Sequence, residues 1–359
     1  MLWLITGLIV SFFSAITLAG QTHFVPKLGT PVLVDDFNGD GNIDVVSSYG
    51  MELRFYIYAG KSNGQFNHGA PCYQQGMRSQ RILSADLNGD GFKDFAVLQG
   101  EWIFLFPGSK QATCGRQTLL RLERFAASEV VVGDFEGKGE RQLLAIDSYN
   151  GRVRLLRSKT ANLIFQPESD STLGFTQVGQ ALVVKAADGS HDELLALDPV
   201  KGLVHVYELK AGRFKEVSRV VVGAYPFSMA AADLAGTGVT NLMVALRSPN
   251  SLKIFARDEN GQWKAEAKGL NLGASPVSID FGDFNDDGSL DILVAEDFNP
   301  QAQLFLQKDG KWQLRATAGL MGTPRSVKVL DFNHDGKLDF IVATPLGVDL
   351  VTGKGDGSF

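Results

Sequence analysis

The sequence is poor in cysteine and has no block of basic residues. Only 2 of its 359 residues are cysteine, which excludes a small fold held together by several disulfides. Lysine and arginine number 34 against 40 acidic residues, with a formal net charge of -6, and this balance excludes a typical basic nucleic-acid-binding protein. Hydrophobic residues make up 44% of the chain, so it has enough apolar surface to fold rather than stay disordered.

Common catalytic and metal motifs are also missing. The 5 histidines are scattered along the chain. No HExxH pair occurs, and the two cysteines do not have the spacing of a structural zinc site. The sequence therefore gives no catalytic residues, and we expect a protein that is not an enzyme.

The first 20 residues are mostly apolar and carry no charged side chain. Thr17 and Ala19 stand at the -3 and -1 positions of a cleavage site. This predicts a signal peptide over residues 1–19, a mature chain over 21–359, and a secreted or periplasmic protein. An uncleaved membrane anchor is the alternative, because a run of about 20 apolar residues can span a bilayer.

Export bears on the two cysteines. In an oxidising compartment, Cys72 and Cys114 either form one disulfide or remain two buried thiols. Both possibilities stay open on the sequence alone.

An acidic pattern, Asp-x-Asn-x-Asp-Gly-x-x-Asp, recurs along the chain. Successive copies begin 45 to 54 residues apart, and seven units of this length fill residues 21–359. A glycine followed two positions later by an aromatic residue returns in phase with several copies. Four complete copies begin at Asp36, Asp86, Asp283 and Asp331, two degenerate copies begin at Asp134 and Asp233, and a shortened copy begins at Asp188.

Each unit has the pattern of four short strands separated by turns. In the sixth unit the strands are predicted at 277–281, 292–295, 303–306 and 312–315. Four strands that recur every 40 to 50 residues or so are typical of a propeller blade. The sequence therefore predicts an all-β, seven-bladed β-propeller of four-stranded blades, although residues 116–127 would also suit a helix.

The two chain ends indicate how such a ring would close. The last unit stops at Phe359, where its fourth strand would begin, and residues 23–28 have the pattern of a fourth strand. An open ring would leave two strand edges unpaired. We therefore predict that the N-terminal strand completes the seventh blade.

The complete acidic loops have the donor pattern of a hard cation. Oxygen-bearing side chains at positions one, three, five and nine suit Ca²⁺ better than Mg²⁺, which gives up its water reluctantly. Glycine at position six allows the tight turn, and position seven would add its backbone carbonyl. About four Ca²⁺ sites are predicted, with the ligands Asp36, Asn38, Asp40, Asn42, Asp44, Asp86, Asn88, Asp90, Phe92, Asp94, Asp283, Asn285, Asp287, Ser289, Asp291, Asp331, Asn333, Asp335, Lys337 and Asp339.

An EF-hand does not explain these loops. Its position twelve should be glutamate, whereas the first loop has serine there and the other three have valine. The degenerate loops are not expected to bind a cation. Lys138 stands at position five of the third loop, where its ammonium could replace one, and Ala235 and Thr237 remove ligands from the fifth.

The units resemble FG-GAP/VCBS repeats, the blade units of the integrin α-subunit propeller and of many secreted bacterial proteins. The resemblance rests on the acidic loops, the glycine–aromatic turns and a proline upstream of several loops, and it covers nearly all of residues 21–359. It implies a propeller with Ca²⁺ in the loops between the first and second strands of its blades. It does not imply one function, because this scaffold serves adhesion, lectin-like binding and some enzymes.

A ligand would be expected on the face opposite the acidic loops, where the turns between second and third strands meet the connections between blades. Aromatic and arginine side chains dominate binding energies at interfaces, and aromatic rings also stack on sugars. The residues predicted for this face are Tyr49, Arg78, Trp102, Tyr149, Arg152, Tyr225, Arg247, Phe298 and Arg325.

Three functional hypotheses follow from the sequence. The leading one is an exported, calcium-binding and non-enzymatic module for a protein or glycan ligand, with no nucleic-acid partner and no membrane span in the mature chain. The alternative is a polysaccharide lyase or hydrolase with its site at the mouth of the propeller channel. The third is a structural or assembly module, which predicts an extended apolar patch on one face or on the outer strands.

Overall fold

The structure is a computed structural model that describes residues 15–18, 21–24, 30–48, 54–62, 65–67, 69–73, 81–158, 163–266, 269–298, 300–308 and 311–359. These residues form antiparallel strands joined by turns, in seven sheets arranged as the blades of a ring. The described residues contain no helix, and therefore none that could cross a membrane.

Two short strands precede the first blade, and each of the first three blades has four strands. In chain order these strands are Ala15–Leu18 (β1) and Gln21–Phe24 (β2); Thr30–Asp35 (β3), Asp44–Ser48 (β4), Arg54–Tyr58 (β5) and Ala70–Tyr73 (β6); Arg81–Ala85 (β7), Asp94–Gln99 (β8), Trp102–Phe106 (β9) and Thr118–Arg121 (β10); and Glu129–Gly133 (β11), Gln142–Asp147 (β12), Arg152–Ser158 (β13) and Phe165–Thr172 (β14).

The remaining blades follow the same order, except that the outer strand of blade five is in two pieces. Their strands are Ala181–Lys185 (β15), Asp192–Asp198 (β16), Leu203–Lys210 (β17) and Arg213–Val221 (β18); Pro226–Ala232 (β19), Asn241–Arg247 (β20), Asn250–Arg257 (β21), Trp263–Ala265 (β22) and Leu270–Asn271 (β23); Pro276–Gly282 (β24), Asp291–Glu296 (β25), Gln301–Lys308 (β26) and Lys311–Gly319 (β27); and Ser326–Leu330 (β28), Asp339–Thr344 (β29) and Gly347–Val351 (β30).

The seventh sheet draws strands from both ends of the chain. Its strand order is β1-β2-β30-β29-β28, and Gln21 pairs with Val351 at one end of the β2–β30 ladder. The sequence pattern placed the closing strand at residues 23–28, of which 25–28 lie outside the described residues. Strand β1 falls inside the predicted signal peptide, most of which is also outside the described residues.

The core lies between neighbouring blades. Leu98 and Ile103 of blade two pack with Leu143 and Ala145 of blade three in one apolar cluster. Each second strand is covered on both sides by other blades, and every residue of β8, β12, β25 and β29 is buried. This explains why the second strands are near-continuous apolar runs rather than alternating ones.

Side chains at the innermost strands form hydrogen bonds to the backbone of the neighbouring blade. The Gln180 side chain accepts the backbone N–H of Met229 at 2.6 Å, and Asp280 Oδ2 accepts that of Val329 at 2.6 Å. Each bond joins residues 49 apart, which is one blade. The inner strands of neighbouring blades therefore hold one another without a shared backbone ladder.

The predicted strands of the sixth unit are confirmed, and each is one to four residues longer at an end than its pattern showed. Residues 116–127 form the short strand β10 and irregular segments on either side of it rather than a helix. Cys72 and Cys114 are bonded, with their Cα atoms 5.6 Å apart. The disulfide joins β6 of blade one to the connection between β9 and β10 of blade two.

Candidate calcium loops and ligand-binding face

Strand order divides the turns between two faces of the ring. We call the side that carries the first-to-second-strand loops, such as residues 36–43 and 283–290, the loop face. The opposite side carries the second-to-third-strand turns and the connections between blades, and we call it the hairpin face. All predicted calcium ligands lie at the loop face, and the residues predicted to bind a ligand belong to the other.

The first aspartate of each complete loop organises the turn around itself. Asp36 Oδ1 accepts the backbone N–H groups of Gly39 and Asp40 at 2.8 and 3.2 Å, and its Oδ2 accepts that of Gly41 at 2.9 Å. Gly41 has φ of +85°, a conformation that side chains disfavour. Equivalent bonds from positions five and six hold the turns that begin at Asp86, Asp283 and Asp331.

Asparagine at position three faces the carboxylate at position five. Asn38 Nδ2 donates to Asp40 Oδ2 at 3.0 Å, and the other three complete loops repeat this contact at 2.8 to 3.4 Å. In blade six the amide oxygen, Asn285 Oδ1, is buried and has no hydrogen-bond donor. A buried oxygen without a donor is the kind of atom that a bound cation would satisfy.

The aspartate at position nine is buried behind the loop rather than exposed on it. Asp44 Oδ2 accepts the N–H of Phe37 at 3.0 Å, and its Oδ1 accepts the N–H of Gly60 at 2.8 Å. Burial is the main cause that raises the pKa of Asp44, Asp94 and Asp339 to about 6 and that of Asp291 to about 7. The carboxylates at positions one and five raise these pKa values further, because like charges disfavour ionisation.

The chemistry of these donors fits Ca²⁺, since each complete loop offers only oxygen atoms. The carboxylates of a loop are nevertheless spread out. Across the described ranges, ligating atoms of three His, Cys, Asp or Glu side chains come within 4.8 Å of one another at one place, which lies outside the complete loops. The position-nine carboxylate is already engaged by the backbone, since Asp44 accepts one N–H from Phe37 within the loop and one from Gly60 beyond β5.

In blade three, positively charged side chains of the protein contact the acidic residues of the degenerate loop. The Arg157 guanidinium on β13 contacts Glu136 at 2.8 Å, Glu140 at 3.3 Å and Glu168 at 3.0 Å. Lys138, predicted from the sequence to stand in for a metal, contacts Glu136 at 3.0 Å. Sequence reasoning missed Arg157 because it lies on the third strand, outside the repeated loop.

The loop of blade five keeps its shape without its ligands. Asp233 accepts the backbone N–H groups of Thr237 and Gly238 at 3.0 and 2.5 Å. At position nine Asn241 accepts the N–H of Leu234 at 3.3 Å, as aspartate does elsewhere. The repeated turn therefore does not require a cation to form.

The hairpin face exposes large apolar side chains. Tyr149, Tyr225 and Phe298 are 77%, 69% and 85% exposed, respectively. All three were predicted for this face from the sequence. Four further exposed apolar side chains that the sequence did not single out share it, namely Val200, Val221, Phe227 and Leu346.

Three of the other residues predicted for this face contact neighbouring side chains. Arg247 lies over the ring of Phe227 and contacts Asp297 at 3.4 Å. Arg152 lies 5.1 Å from the ring of Phe125. Trp102 is half-buried beneath Arg121, Arg325 is exposed, and Tyr49 and Arg78 lie outside the described residues.

The FG-GAP-like repeat family matches the chain over residues 36–97, 233–294 and 283–342. These stretches contain all four complete loops and the degenerate loop of blade five. The chain is an FG-GAP-like repeat β-propeller. The curated proteins include no match to its sequence.

Several solved structures have the same fold as this FG-GAP propeller at low sequence identity. One is BBS1N in complex with ARL6DN, with a TM-score of 0.62, 12% identity, and 93% of this chain and 95% of that chain covered. A lectin of Agrocybe aegerita that recognises non-reducing terminal N-acetylglucosamine has a TM-score of 0.59 and 16% identity, with 89% and 86% covered. A chain of the mitotic checkpoint complex has a TM-score of 0.61 and 9% identity, with 98% and 99% covered.

Proposed function

We propose that this FG-GAP propeller is an exported, calcium-stabilised and non-enzymatic binding module whose hairpin face takes a protein partner. The observation that carries the proposal is the exposure of Tyr149, Tyr225 and Phe298 on that one face. Large aromatic side chains are strong anchors in protein interfaces. Large exposed apolar patches mark interaction sites, and we infer that these side chains belong to one.

The extent of the exposed set favours a protein over a sugar. Its members lie on blade three (Tyr149), on the connection between blades four and five (Tyr225), on blade six (Phe298) and on blade seven (Leu346). A small glycan would contact one or two neighbouring blades, whereas a protein interface covers about 800 Å² on each partner. Two of the fold neighbours are described in assemblies with other proteins and one recognises a sugar, so both ligand classes are accessible to this fold.

Calcium would stabilise the ring rather than take part in a reaction. The candidate ligands of each complete loop extend to the first residue of the buried second strand, so a bound cation would link the loop to the core. The buried Asn285 Oδ1, which accepts no hydrogen bond, supports a cation site in blade six.

Export is supported by the predicted signal peptide and by the bonded cysteines. Disulfides persist in oxidising compartments and are rare in the cytosol. The intact mass of the protein recovered from culture medium or periplasm tests this point: loss of residues 1–19 supports export, and a full-length product in the cytosol would contradict it.

Binding can be tested with two double variants, each of which removes two exposed apolar side chains. The first carries Tyr225→Ala and Phe298→Ala on the hairpin face. The control carries Leu119→Ala and Leu314→Ala, which are each 54% exposed on outer strands. We expect the wild type and the control to retain the same protein from an extract of the native secretome, and the hairpin variant to lose it.

Three results would overturn parts of the proposal. Equal retention by both variants would remove the hairpin face as the binding surface. Binding to a glycan array with no protein retained would make the module a lectin. Release of new reducing or unsaturated sugar ends from polysaccharides would show the enzymatic alternative.

Calcium is tested by thermal unfolding in Ca²⁺, in Mg²⁺ and in chelator. A ligand at a concentration about 100 times its Kd stabilises the native state by about 2.7 kcal/mol per site. We expect the midpoint to rise in Ca²⁺ only. An unchanged midpoint would refute a structural role for Ca²⁺, and it would not affect the proposal that the hairpin face binds a partner.

A further inference from the structure

The loop face of blade four holds a cluster of a different kind. His191 precedes β16, Glu193 lies on β16 and Glu208 lies on β17, and ligating atoms of the three side chains are all within 4.8 Å of one another. Glu193 is buried and the other two are half-buried. We propose that these three residues bind a transition-metal dication, with Zn²⁺ as the probe, at a site separate from the calcium loops.

Strand pairing forces the two glutamates together. Leu194 pairs with Tyr207 at the end of the β16–β17 ladder. Glu193 and Glu208 are the next residues outward on the two strands, so they face each other. Two like charges directly opposite on neighbouring strands are destabilising. A cation bound between the two carboxylates would attract both, and this attraction would outweigh their mutual repulsion.

The hydrogen bonds of His191 leave its second nitrogen available as a ligand. Ser190 Oγ lies 2.7 Å from Asp188 Oδ1 and 2.8 Å from His191 Nδ1. An ionised carboxylate can only accept, so the single Ser190 proton goes to Asp188 and His191 Nδ1 must donate to Ser190. In the neutral ring the lone pair is then on Nε2, and metal-binding histidines are oriented by hydrogen bonds of this kind on the other nitrogen.

Two cations flank the cluster and have different roles. Arg257 reaches from blade five and contacts Glu193 at 2.5 Å, with both side chains under one tenth exposed. Arg257 holds one oxygen of the Glu193 carboxylate in place, and the second oxygen can bind a metal. Lys210 contacts Glu208 at 2.8 Å but is 53% exposed, and an exposed pair of this kind contributes little, so a dication can displace Lys210.

The donor set selects the metal. One imidazole nitrogen and two carboxylates suit Zn²⁺ and its neighbours, which take nitrogen ligands and low coordination numbers. Ca²⁺ takes six to eight oxygen ligands and finds too few here. With three protein ligands, the fourth position is open to water or to a donor from a partner.

The test is titration of the full chain with Zn²⁺ by calorimetry, in excess Ca²⁺ so that the acidic loops are saturated. We expect one equivalent to bind to the wild type. Removal of a ligand, in His191→Ala or in the isosteric Glu208→Gln, should weaken binding at least tenfold. His334→Ala is the control, because His334 is exposed in the loop of blade seven and bonds Asn42 of blade one at 3.1 Å, away from blade four; it should bind as the wild type does.

Lys210→Ala separates a built site from chance surface binding. If Lys210 competes with the metal, its removal should tighten Zn²⁺ binding, whereas loss of a bystander would change nothing. The visible spectrum of the Co²⁺ form gives a second readout, with intense tetrahedral bands in the wild type that are lost in His191→Ala. No binding, or equal binding by the wild type and His191→Ala with the fold intact by circular dichroism, would overturn the proposal.

Discussion

Breaking the buried ion pair between blades four and five should destabilise the ring more than any surface charge change. Arg257 and Glu193 are 8% and 6% exposed and 2.5 Å apart. Arg257 also donates to the carbonyl of Gly261 at 3.1 Å, and its guanidinium lies 4.3 Å from the centre of the Trp263 ring. Replacement by Arg257→Met keeps the apolar stem and leaves the Glu193 carboxylate buried without its partner.

The expected loss of unfolding free energy in Arg257→Met follows from the desolvation of the Glu193 carboxylate. Removing one member of a buried pair is worth about 3–5 kcal/mol. A chain of 359 residues that unfolds as one unit has an unfolding entropy of about 0.75 kcal/mol/K. A loss of about 4 kcal/mol therefore lowers the midpoint of thermal unfolding by about 5 °C.

The assay is thermal and urea unfolding in excess Ca²⁺, with transition metals removed so that the blade-four cluster does not contribute. Lys264→Met is the control, since Lys264 is 69% exposed and lies 3.9 Å from Asp258, and it should change stability by at most about 1 kcal/mol. The double variant Glu193→Gln with Arg257→Met should recover most of the loss, because no buried charge remains unpaired. The reasoning is refuted if Arg257→Met is no more destabilised than Lys264→Met.

Three further outcomes are expected. Replacing Cys72 and Cys114 by serine opens a crosslink between residues 42 apart and should cost about 4 kcal/mol in urea unfolding; equal midpoints for oxidised wild type and variant would contradict this. Arg157→Ala should lower the thermal midpoint equally in Ca²⁺ and in chelator, because Arg157 is the resident cation of blade three, and a loss confined to the Ca²⁺ sample would contradict that role. The hydrogen bond from Arg219 lowers the pKa of Glu216 from near 4.5 to about 2. The contribution of Glu216 to folding stability is therefore complete above about pH 4.5 and is lost as the pH falls to about 2. The difference in unfolding free energy between the wild type and Glu216→Gln should disappear over that range, and a difference independent of pH would refute the assignment.

The repeat made the fold predictable from sequence. An acidic loop every 45 to 54 residues sets the number of blades, and the apolar run after each loop marks the buried second strand. That information is local, because each blade is built from consecutive residues with turns between them. The predicted strands of blade six matched for this reason.

The candidate sites were less predictable, because they depend on contacts between distant residues. The sequence placed Asp44 among the calcium ligands, and the structure adds that its carboxylate bonds the backbone of Gly60, 16 residues away. The role of Arg157 in the degenerate loop of blade three had no signal in the repeat. Residue type and topology indicated which aromatics belong to the hairpin face, but not that Trp102 is half-buried while Phe298 is exposed.

The sequence by itself determined the all-β class, the seven-unit repeat and the residue types of the acidic loops, because periodicity and turn chemistry act between residues close in the chain. Tertiary structure alone decided that the two cysteines are bonded across blades one and two, that Arg257 of blade five neutralises Glu193 of blade four, and that Glu193 and Glu208 face each other beside His191. These pairings arise where separate blades or strands meet. The physical reason is that electrostatic and covalent contacts depend on distances in space, which a repeat pattern does not specify until the ring has formed.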